Sequence, residues 1–411
     1  MWIWSIIATM NKKVLSVLFA SFMELPLLFA GPITAFRFEG LKKTKEFAVK
    51  RSLDEFIGCE SNPETFRSIK TDLQTSGIFS EIELEEEETE DGTVVVVNLK
   101  EKISFLAVPL FMVTGGNITG GAFVLDTNAF GLMHTLALGG FFSKKEFRGI
   151  TMFSKPPAGR APGASIFMTA GRKNQIYCDM DDKKRIDYDM ISANIGGTVT
   201  EKFTSFFTGS LTANFGFRDI DRDKDEKAMG DSRYVEIKPD LKLGTTDWNG
   251  VFLSSKSIEE QYEICIYTDH YIWHRFTTKI VFQQPVIDDL RFFFNGTGIH
   301  GLFVPYSAFI GNGALGVRLF PTDFGSKIGG GINTGFEYAA FKTKMGIFSF
   351  YGCYQAAVAK DFDREYKFNQ GVGGGMQMYL KQLAIPAMSF GVVYNTTKKT
   401  FASSFSIGMN F

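Results

Sequence analysis

The stretch TFASSFSIGMNF, residues 400–411, alternates large apolar side chains with small or polar ones up to its last residue. Counted back from the end, the apolar positions are Phe411, Met409, Ile407, Phe405 and Phe401. Ser403 is the exception, and Gly408 belongs to the small set. A period of two indicates a strand with one apolar face. We expect a terminal strand whose apolar face meets lipid, suited to recognition by edge pairing before a barrel closes.

The same strand pattern extends back to residue 103. Segments of about 8 to 14 residues alternate with short turns rich in Gly, Asn, Asp and Lys, as in membrane barrels. The region 103–411 therefore predicts an all-β transmembrane barrel of about 16 antiparallel strands. A large soluble sandwich or barrel is the alternative.

Composition agrees with a barrel and argues against other classes. The chain has 43 Phe and 42 Gly but only 12 Pro, and its 44 basic and 45 acidic residues leave a net charge of -1. A nucleic-acid partner is not expected, because no basic excess is present. No run after residue 31 reaches the roughly 18 consecutive apolar residues of a spanning helix. A membrane span would therefore have to be a closed barrel.

Residues 31–102 have the pattern of a small α+β domain. An alternating strand over 33–39 ends at Gly40, two helical stretches follow, and Gly77 ends the second. Two strands then close the unit, and the acidic run Glu85 to Asp91 is expected to form the hairpin turn between them. The predicted order is β-α-α-β-β.

Residues 1–30 form an apolar leader or signal segment. Lys12 and Lys13 precede an apolar run, and Ala30-Gly31 fits the end of a signal peptide that starts at Met10. Leu28 stands where a small residue is expected before a cleavage site, so an uncleaved leader is the alternative.

Several motifs, taken in their order along the chain, resemble those of the outer-membrane β-barrel assembly superfamily of the bacterial surface antigen or BamA type. The front domain resembles a POTRA domain, with Gly40 after its first strand and Gly77 and Phe79 at the step into its second. The barrel motifs are Asn128-Ala129-Phe130-Gly131, Phe153-Ser154-Lys155-Pro156 and the glycine-rich run 371–375. Gly40 to Glu46 is most similar to the core barrel subunit of the mitochondrial sorting and assembly machinery.

The family carries an Arg-Gly-aromatic tip on a loop that folds back into the barrel lumen. The candidate here is Val317-Arg318-Leu319-Phe320, in which leucine replaces the glycine. An arginine in a wet lumen can pin such a loop to an acidic wall residue. An exposed loop arginine is the alternative.

The resemblance implies insertion and assembly of β-barrel proteins, by strand pairing at a lateral seam between the first and last barrel strands. The implied partners are unfolded β-barrel precursors, accessory subunits of an assembly complex and membrane lipid. We expect no enzymatic activity and no cofactor, and no catalytic, cofactor-binding or metal-binding residue is assigned. A protein-translocating or passive diffusion pore is the alternative function.

The compartment is inferred from the cysteines, the resemblance and the leader. Four dispersed cysteines, Cys59, Cys178, Cys265 and Cys353, form no close pair and favour a reducing setting. Together with the resemblance they predict the outer membrane of a mitochondrion or a mitochondrion-derived organelle. The possible signal peptide favours a bacterial outer membrane instead.

Overall fold

The computed structural model describes residues 31–407, except 91, 115–116, 160, 222–231, 250–251, 344–345, 363–364 and 381–385. The predicted leader, residues 1–30, lies outside the described residues. So does the end of the terminal strand, including Gly408, Met409 and Phe411.

The first unit is a three-stranded sheet covered by two helices. Its elements are β1 (Ile33–Glu39), α1 (Glu46–Leu53), a 3₁₀ turn (Asp54–Phe56), α2 (Pro63–Thr75), β2 (Phe79–Thr89) and β3 (Gly92–Glu101). The central strand β3 pairs in parallel with β1 and antiparallel with β2. Helix α2 is capped at its N-terminus by Asn62, whose side chain accepts a hydrogen bond from the Thr65 amide (2.9 Å). Pro63 suits the first helical position because it has no backbone N–H that would need an acceptor there. Apolar residues of both helices pack on alternate residues of the sheet, which gives this unit its own core.

One local sequence prediction for this unit is wrong. The acidic run is not the turn, because β2 continues to Thr89 and Glu85 to Glu88 pair with 93–96 of β3. Their carboxylates stay on exposed positions, so extending the ladder does not bury charge. After the 3₁₀ turn, Gly58 adopts a positive φ of 86° and donates its amide to the Ile33 carbonyl.

Sixteen strands form one closed barrel, as predicted, and every neighbouring pair is antiparallel. They are β4 (Phe105–Thr114), β5 (Asn117–Ala129), β6 (His134–Ser143), β7 (Glu146–Lys155), β8 (Gly163–Cys178), β9 (Lys184–Lys202), β10 (Phe207–Ile220), β11 (Ser232–Asn249), β12 (Phe252–Tyr267), β13 (Ile272–Ile287), β14 (Leu290–Leu302), β17 (Ile328–Lys342), β18 (Gly346–Lys360), β19 (Tyr366–Leu380), β20 (Pro386–Asn395) and β21 (Thr400–Ile407). Between β14 and β17 lie two short strands, β15 (Ile310–Gly311) and β16 (Gly325–Ser326), which pair only with each other.

The outer surface of the barrel is mostly apolar. Exposed side chains of this surface include Leu138, Ile195, Phe215, Phe336 and Val372, on strands spread around the sheet. Alternate residues point inward and are more polar, as in Asn214, Glu236 and Gln355. Such an apolar exterior is the surface of a barrel surrounded by lipid, and it argues against the soluble alternative. Within the described ranges, no helix is long and apolar enough to cross a membrane.

Candidate functional site

The first and last barrel strands meet at a short seam. Within the described residues, β21 and β4 share four partner pairs, from Ser404 opposite Thr114 to Ile407 opposite Phe111. Gly408 to Phe411 follow Ile407 in the sequence and lie outside the described residues, so four is the number of pairs in the described part of the seam. Among the described barrel strands, β4 and β21 are the neighbouring pair that no turn or loop connects directly, because they are the first and last strands of the barrel. The seam can therefore open without straining a connecting turn.

Side chains on the two faces of the seam differ in character. On the outer face, the rings of Phe111 and Phe405 meet edge to face with centroids 6.3 Å apart. Phe401 is 76% exposed on the same side, and Ser406 is buried on the lumen side. In the described part of the seam, the ring contact between Phe111 and Phe405 and the four ladder pairs oppose opening.

A cavity lies inside the barrel, directly behind β4. Its volume is about 480 Å³, and its lining includes Leu110 and Met112 of β4, Phe123 of β5, Tyr177 of β8 and Phe309. The wall next to the seam is therefore backed by open space rather than by packed side chains.

Residues 303–327, which we call the lumenal loop, fold back into the barrel. The loop contacts wall strands on opposite sides of the barrel. Tyr177 of β8 donates to the Phe309 carbonyl (2.9 Å), and Arg275 of β13 donates to the Ala308 carbonyl. Lys145, in the turn between β6 and β7, pairs with Asp323 at 2.6 Å. Only a segment inside the cylinder can reach all these strands.

The predicted tip, Val317 to Phe320, lies within this loop and against β18, β19 and β20. Asn369 and Asn395 both donate to the Leu319 carbonyl, at 3.3 and 2.7 Å, and the Arg318 amide donates to Gln355 (2.9 Å). Val317, Leu319 and Phe320 are buried in a cluster with Leu315 and Phe324. Leu319, at the position where the sequence resemblance suggested a glycine, thus fills an apolar site.

The Arg318 side chain is half-buried and reaches the wall two strands from the seam. A Cβ added to Gly391 of β20 would lie 2.6 Å from Arg318 Nη1 and 2.3 Å from Tyr351 Oη. The guanidinium and the phenol therefore converge on the space that this glycine leaves open. The structure gives Arg318 a neutral phenol at this point rather than the acidic partner that the sequence suggested.

Two more wall arginines hold the lumenal loop, and the sequence analysis did not single them out. Arg218 of β10 donates to Ser307 (3.5 Å) and to Tyr267 (2.8 Å). Arg275 pairs with the buried Glu263 at 3.1 Å while it holds Ala308. Their sequence signal is a polar residue at an inward position of a strand, which they share with the other polar residues that line the lumen.

The front domain is docked on the turns at one end of the barrel. Lys43 Nζ pairs with Asp126 at 2.9 Å, Asn128 Nδ2 donates to Thr44 Oγ1 at 2.8 Å, and the Lys45 amide donates to the Gly131 carbonyl at 2.8 Å. The motif Asn128 to Gly131 is thus the turn that receives the domain.

A second docking contact lies further round the barrel. Lys202, at the end of β9, pairs with Glu55 at 3.1 Å and with Asp72 at 3.8 Å. Burial raises the pKa of Asp72, and the Lys202 ammonium only partly opposes this. Two separated contacts fix the orientation of the front domain as well as its position.

The three predicted signature residues of the front domain have structural positions in it. Gly40 has a φ of 81°, and an added Cβ would lie 2.1 Å from the Leu99 carbonyl oxygen, so no other residue fits there. Gly77 has a φ of 71° at the end of α2, and Phe79 is buried in the core. They shape the domain and do not touch the seam.

No protein-family model and no curated protein matches the chain, but solved structures do. BamA from Haemophilus ducreyi lacking POTRA domains 1–3 is similar over 92% of this chain and 84% of that one, with 12% identity and a TM-score of 0.62. CdiB from Acinetobacter baumannii is similar over 93% and 74%, and CdiB from Escherichia coli over 93% and 77%, each with 12% identity and a TM-score of 0.65. At this identity the similarity concerns the fold, and this chain shares the sixteen-stranded barrel fold of the BamA and CdiB outer-membrane proteins.

Proposed function

We propose that this protein inserts and assembles β-barrel proteins in an outer membrane, by strand pairing at the seam between β4 and β21. The observation that carries the proposal is the place of that seam: the first and last strands of a closed barrel meet there, and no turn connects them. An opened seam exposes unpaired backbone donors and acceptors, which an incoming strand can satisfy before it meets lipid. The cavity behind β4 leaves room for that strand to move.

The proposed roles of the other parts follow from their positions. The front domain acts as a POTRA domain and presents unfolded β-barrel precursors at the barrel end, where accessory subunits also bind. The lumenal loop braces the wall on the β18 to β20 side, so that opening is confined to the seam. Membrane lipid is a partner because the opened seam faces it. No covalent bond is made or broken.

The second candidate is a pore for protein translocation or passive diffusion. Similarity to the two CdiB barrels supports the protein-translocating pore as the second candidate. The lumenal loop disfavours passive diffusion, because it crosses the channel and buries Leu315 and Phe324 inside it.

Depletion of the protein tests the choice between these functions. If it assembles barrels, several unrelated outer-membrane barrels lose abundance together, while their messenger RNA levels stay unchanged. A pore would leave those barrels intact and alter only permeability or the secretion of one substrate.

We propose an outer membrane as the compartment, and the bacterial alternative has the better support. The similar solved structures are bacterial, and nothing in the fold favours the mitochondrial location that the sequence suggested. The cysteine argument also weakens, because three of the four thiols, those of Cys178, Cys265 and Cys353, are buried. Fractionation of a tagged protein checks this: a mitochondrial fraction would overturn the bacterial location.

A further inference from the structure

The outer face of β12 and β13 carries a group of polar side chains. Glu260 accepts a hydrogen bond from Thr278 Oγ1 at 2.9 Å, and Tyr262 Oη lies 2.7 Å from His274 Nδ1. Glu260 and Tyr262 alternate along β12 with the buried, inward-facing Glu263 and Cys265, so they point away from the lumen. Thr278 and His274 of β13 bond to them on the same outer face. We call Glu260, Tyr262, His274 and Thr278 the outer polar patch.

The outer polar patch is surrounded by apolar surface. Exposed Leu241, Ile258, Phe276 and Ile280 lie next to Glu260 on its own strand and on both neighbouring strands. Glu260 is itself exposed and lies at the middle of β12, whereas the outward-facing Glu201, Asp219 and Arg233 lie at strand ends. A carboxylate that faces hydrocarbon at this depth is costly unless another group compensates it.

The patch is remote from the seam. β12 is the ninth of the sixteen strands, and the seam joins the first to the last, so the two features lie on opposite walls. Strand exchange at the seam therefore gives no reason for a carboxylate on this wall.

We propose that the outer polar patch is a docking surface, within the membrane, for a membrane-spanning segment of another protein that presents a lysine or arginine at the depth of Glu260. The inference rests on membrane insertion but not on the assembly activity. A basic side chain supplies the charge that Glu260 lacks in lipid, and Thr278 already orients one of the two carboxylate oxygens.

A second copy of this chain does not fit the patch. Two copies inserted in the same direction are related by an axis along the membrane normal, so each residue meets residues of its own depth. Glu260 would then face Glu260. The nearest outward lysine on its strand, Lys256, is four residues away, which is roughly 10 Å in height for a tilted strand.

Site-specific photo-crosslinking in native membranes tests the proposal. The crosslinking residue replaces Ile258 beside the patch, which is 40% exposed, and a control variant carries it at Ile195 on β9, which is 51% exposed. We expect a discrete product at 258, at least five-fold above that at 195, in which the crosslinked peptide is a spanning segment with a basic residue. Glu260→Leu should lower the product at least five-fold, and Glu260→Lys should abolish it until that basic residue is changed to glutamate.

Three results would overturn the proposal: a product between two copies of this chain, no product above the Ile195 control, or a product that Glu260→Leu leaves unchanged. Heat-modifiable migration of each variant shows separately that the barrel is inserted. A failure there counts against the proposed membrane function rather than against the docking surface.

Discussion

At the scale of single residues, the ion pair between Arg291 and Glu337 stabilises the barrel interior. Arg291 Nη2 lies 2.6 Å from Glu337 Oε2, and the two side chains are 12% and 2% exposed. Ser349 and Tyr379 also donate to Glu337. We predict that Glu337→Leu destabilises the barrel by about 3–5 kcal/mol, because it leaves a buried guanidinium without its carboxylate.

The measurement is the urea midpoint of the inserted barrel. Arg172→Leu is the control, because it removes an ion pair with Asp189 at the barrel rim. The two side chains are 3.4 Å apart and Arg172 is 67% exposed, so this pair contributes about 0–1 kcal/mol. Equal shifts for the two variants would contradict the role of the buried pair.

Glu101 gives the front domain a pH dependence of known sign. Burial alone would raise the pKa of Glu101, but hydrogen bonds from the amides of Lys42, Lys43 and Thr44 outweigh it and hold the pKa below its ordinary value. A lowered folded-state pKa contributes stability that is present above the unfolded-state pKa and is lost as the pH falls through the folded value. We predict that acid, below about pH 4.5, weakens docking of the Lys43 to Lys45 segment.

Hydrogen exchange of residues 42–45 against pH measures this effect. Glu101→Gln should remove most of the acid sensitivity, because glutamine has no carboxylate that acid could neutralise. An unchanged pH profile in that variant would assign the effect to another group.

At the scale of elements, the lumenal loop is held by side chains of the wall rather than by its own secondary structure. Asn369 and Asn395 are the two donors to the Leu319 carbonyl. We predict that the double variant Asn369→Leu, Asn395→Leu speeds hydrogen exchange of the Arg318 amide at least ten-fold while the barrel stays closed. Asn333→Leu is the control, because Asn333 lines the lumen but its Oδ1 has no partner. Equal exchange in the two variants would show that the loop is held elsewhere.

The sequence predicted the regular part of the structure and missed the irregular part for a physical reason. Strand alternation is local, so residues such as Leu136 and Leu138 reveal a barrel wall without knowledge of their neighbours. The contacts of Arg275 with Ala308 and of Tyr177 with Phe309 join residues far apart in the chain. No local pattern distinguishes them from other polar residues of the lumen.

The acidic run shows the same limit in a different form. Glu85 to Glu88 have a low strand propensity, but pairing with Thr93 to Val96 of β3 overrides it. Local propensity predicted a turn, and tertiary pairing decided otherwise. The position of Arg318 was open between lumen and surface for a similar reason, since only closure of the barrel brings Gly391 and Tyr351 beside it.

At the scale of the whole molecule, the fixed position of the front domain depends on Gly131. Its φ is 70°, and a Cβ there would lie 2.1 Å from the Lys43 carbonyl oxygen. We predict that Gly131→Ala displaces the domain and exposes the 42–45 segment to protease at least five-fold faster. Gly58→Ala is the matched control, because its φ is 86° but no atom lies within 4 Å of the added Cβ. Equal cleavage in both variants would mean that backbone strain, and not the docking contact, is responsible.

The central claim concerns the seam, and a reversible crosslink tests it most directly. In a Cys59→Ser background, Met112→Cys and Ser406→Cys face each other across the seam between β4 and β21. The control pair, Thr198→Cys and Thr212→Cys, lies on the full ladder between β9 and β10. In reconstituted vesicles, we predict that oxidation of the seam pair stops insertion of new barrels, that reduction restores it, and that the control pair has no effect. Insertion at the normal rate through an oxidised seam would contradict lateral opening and favour the pore.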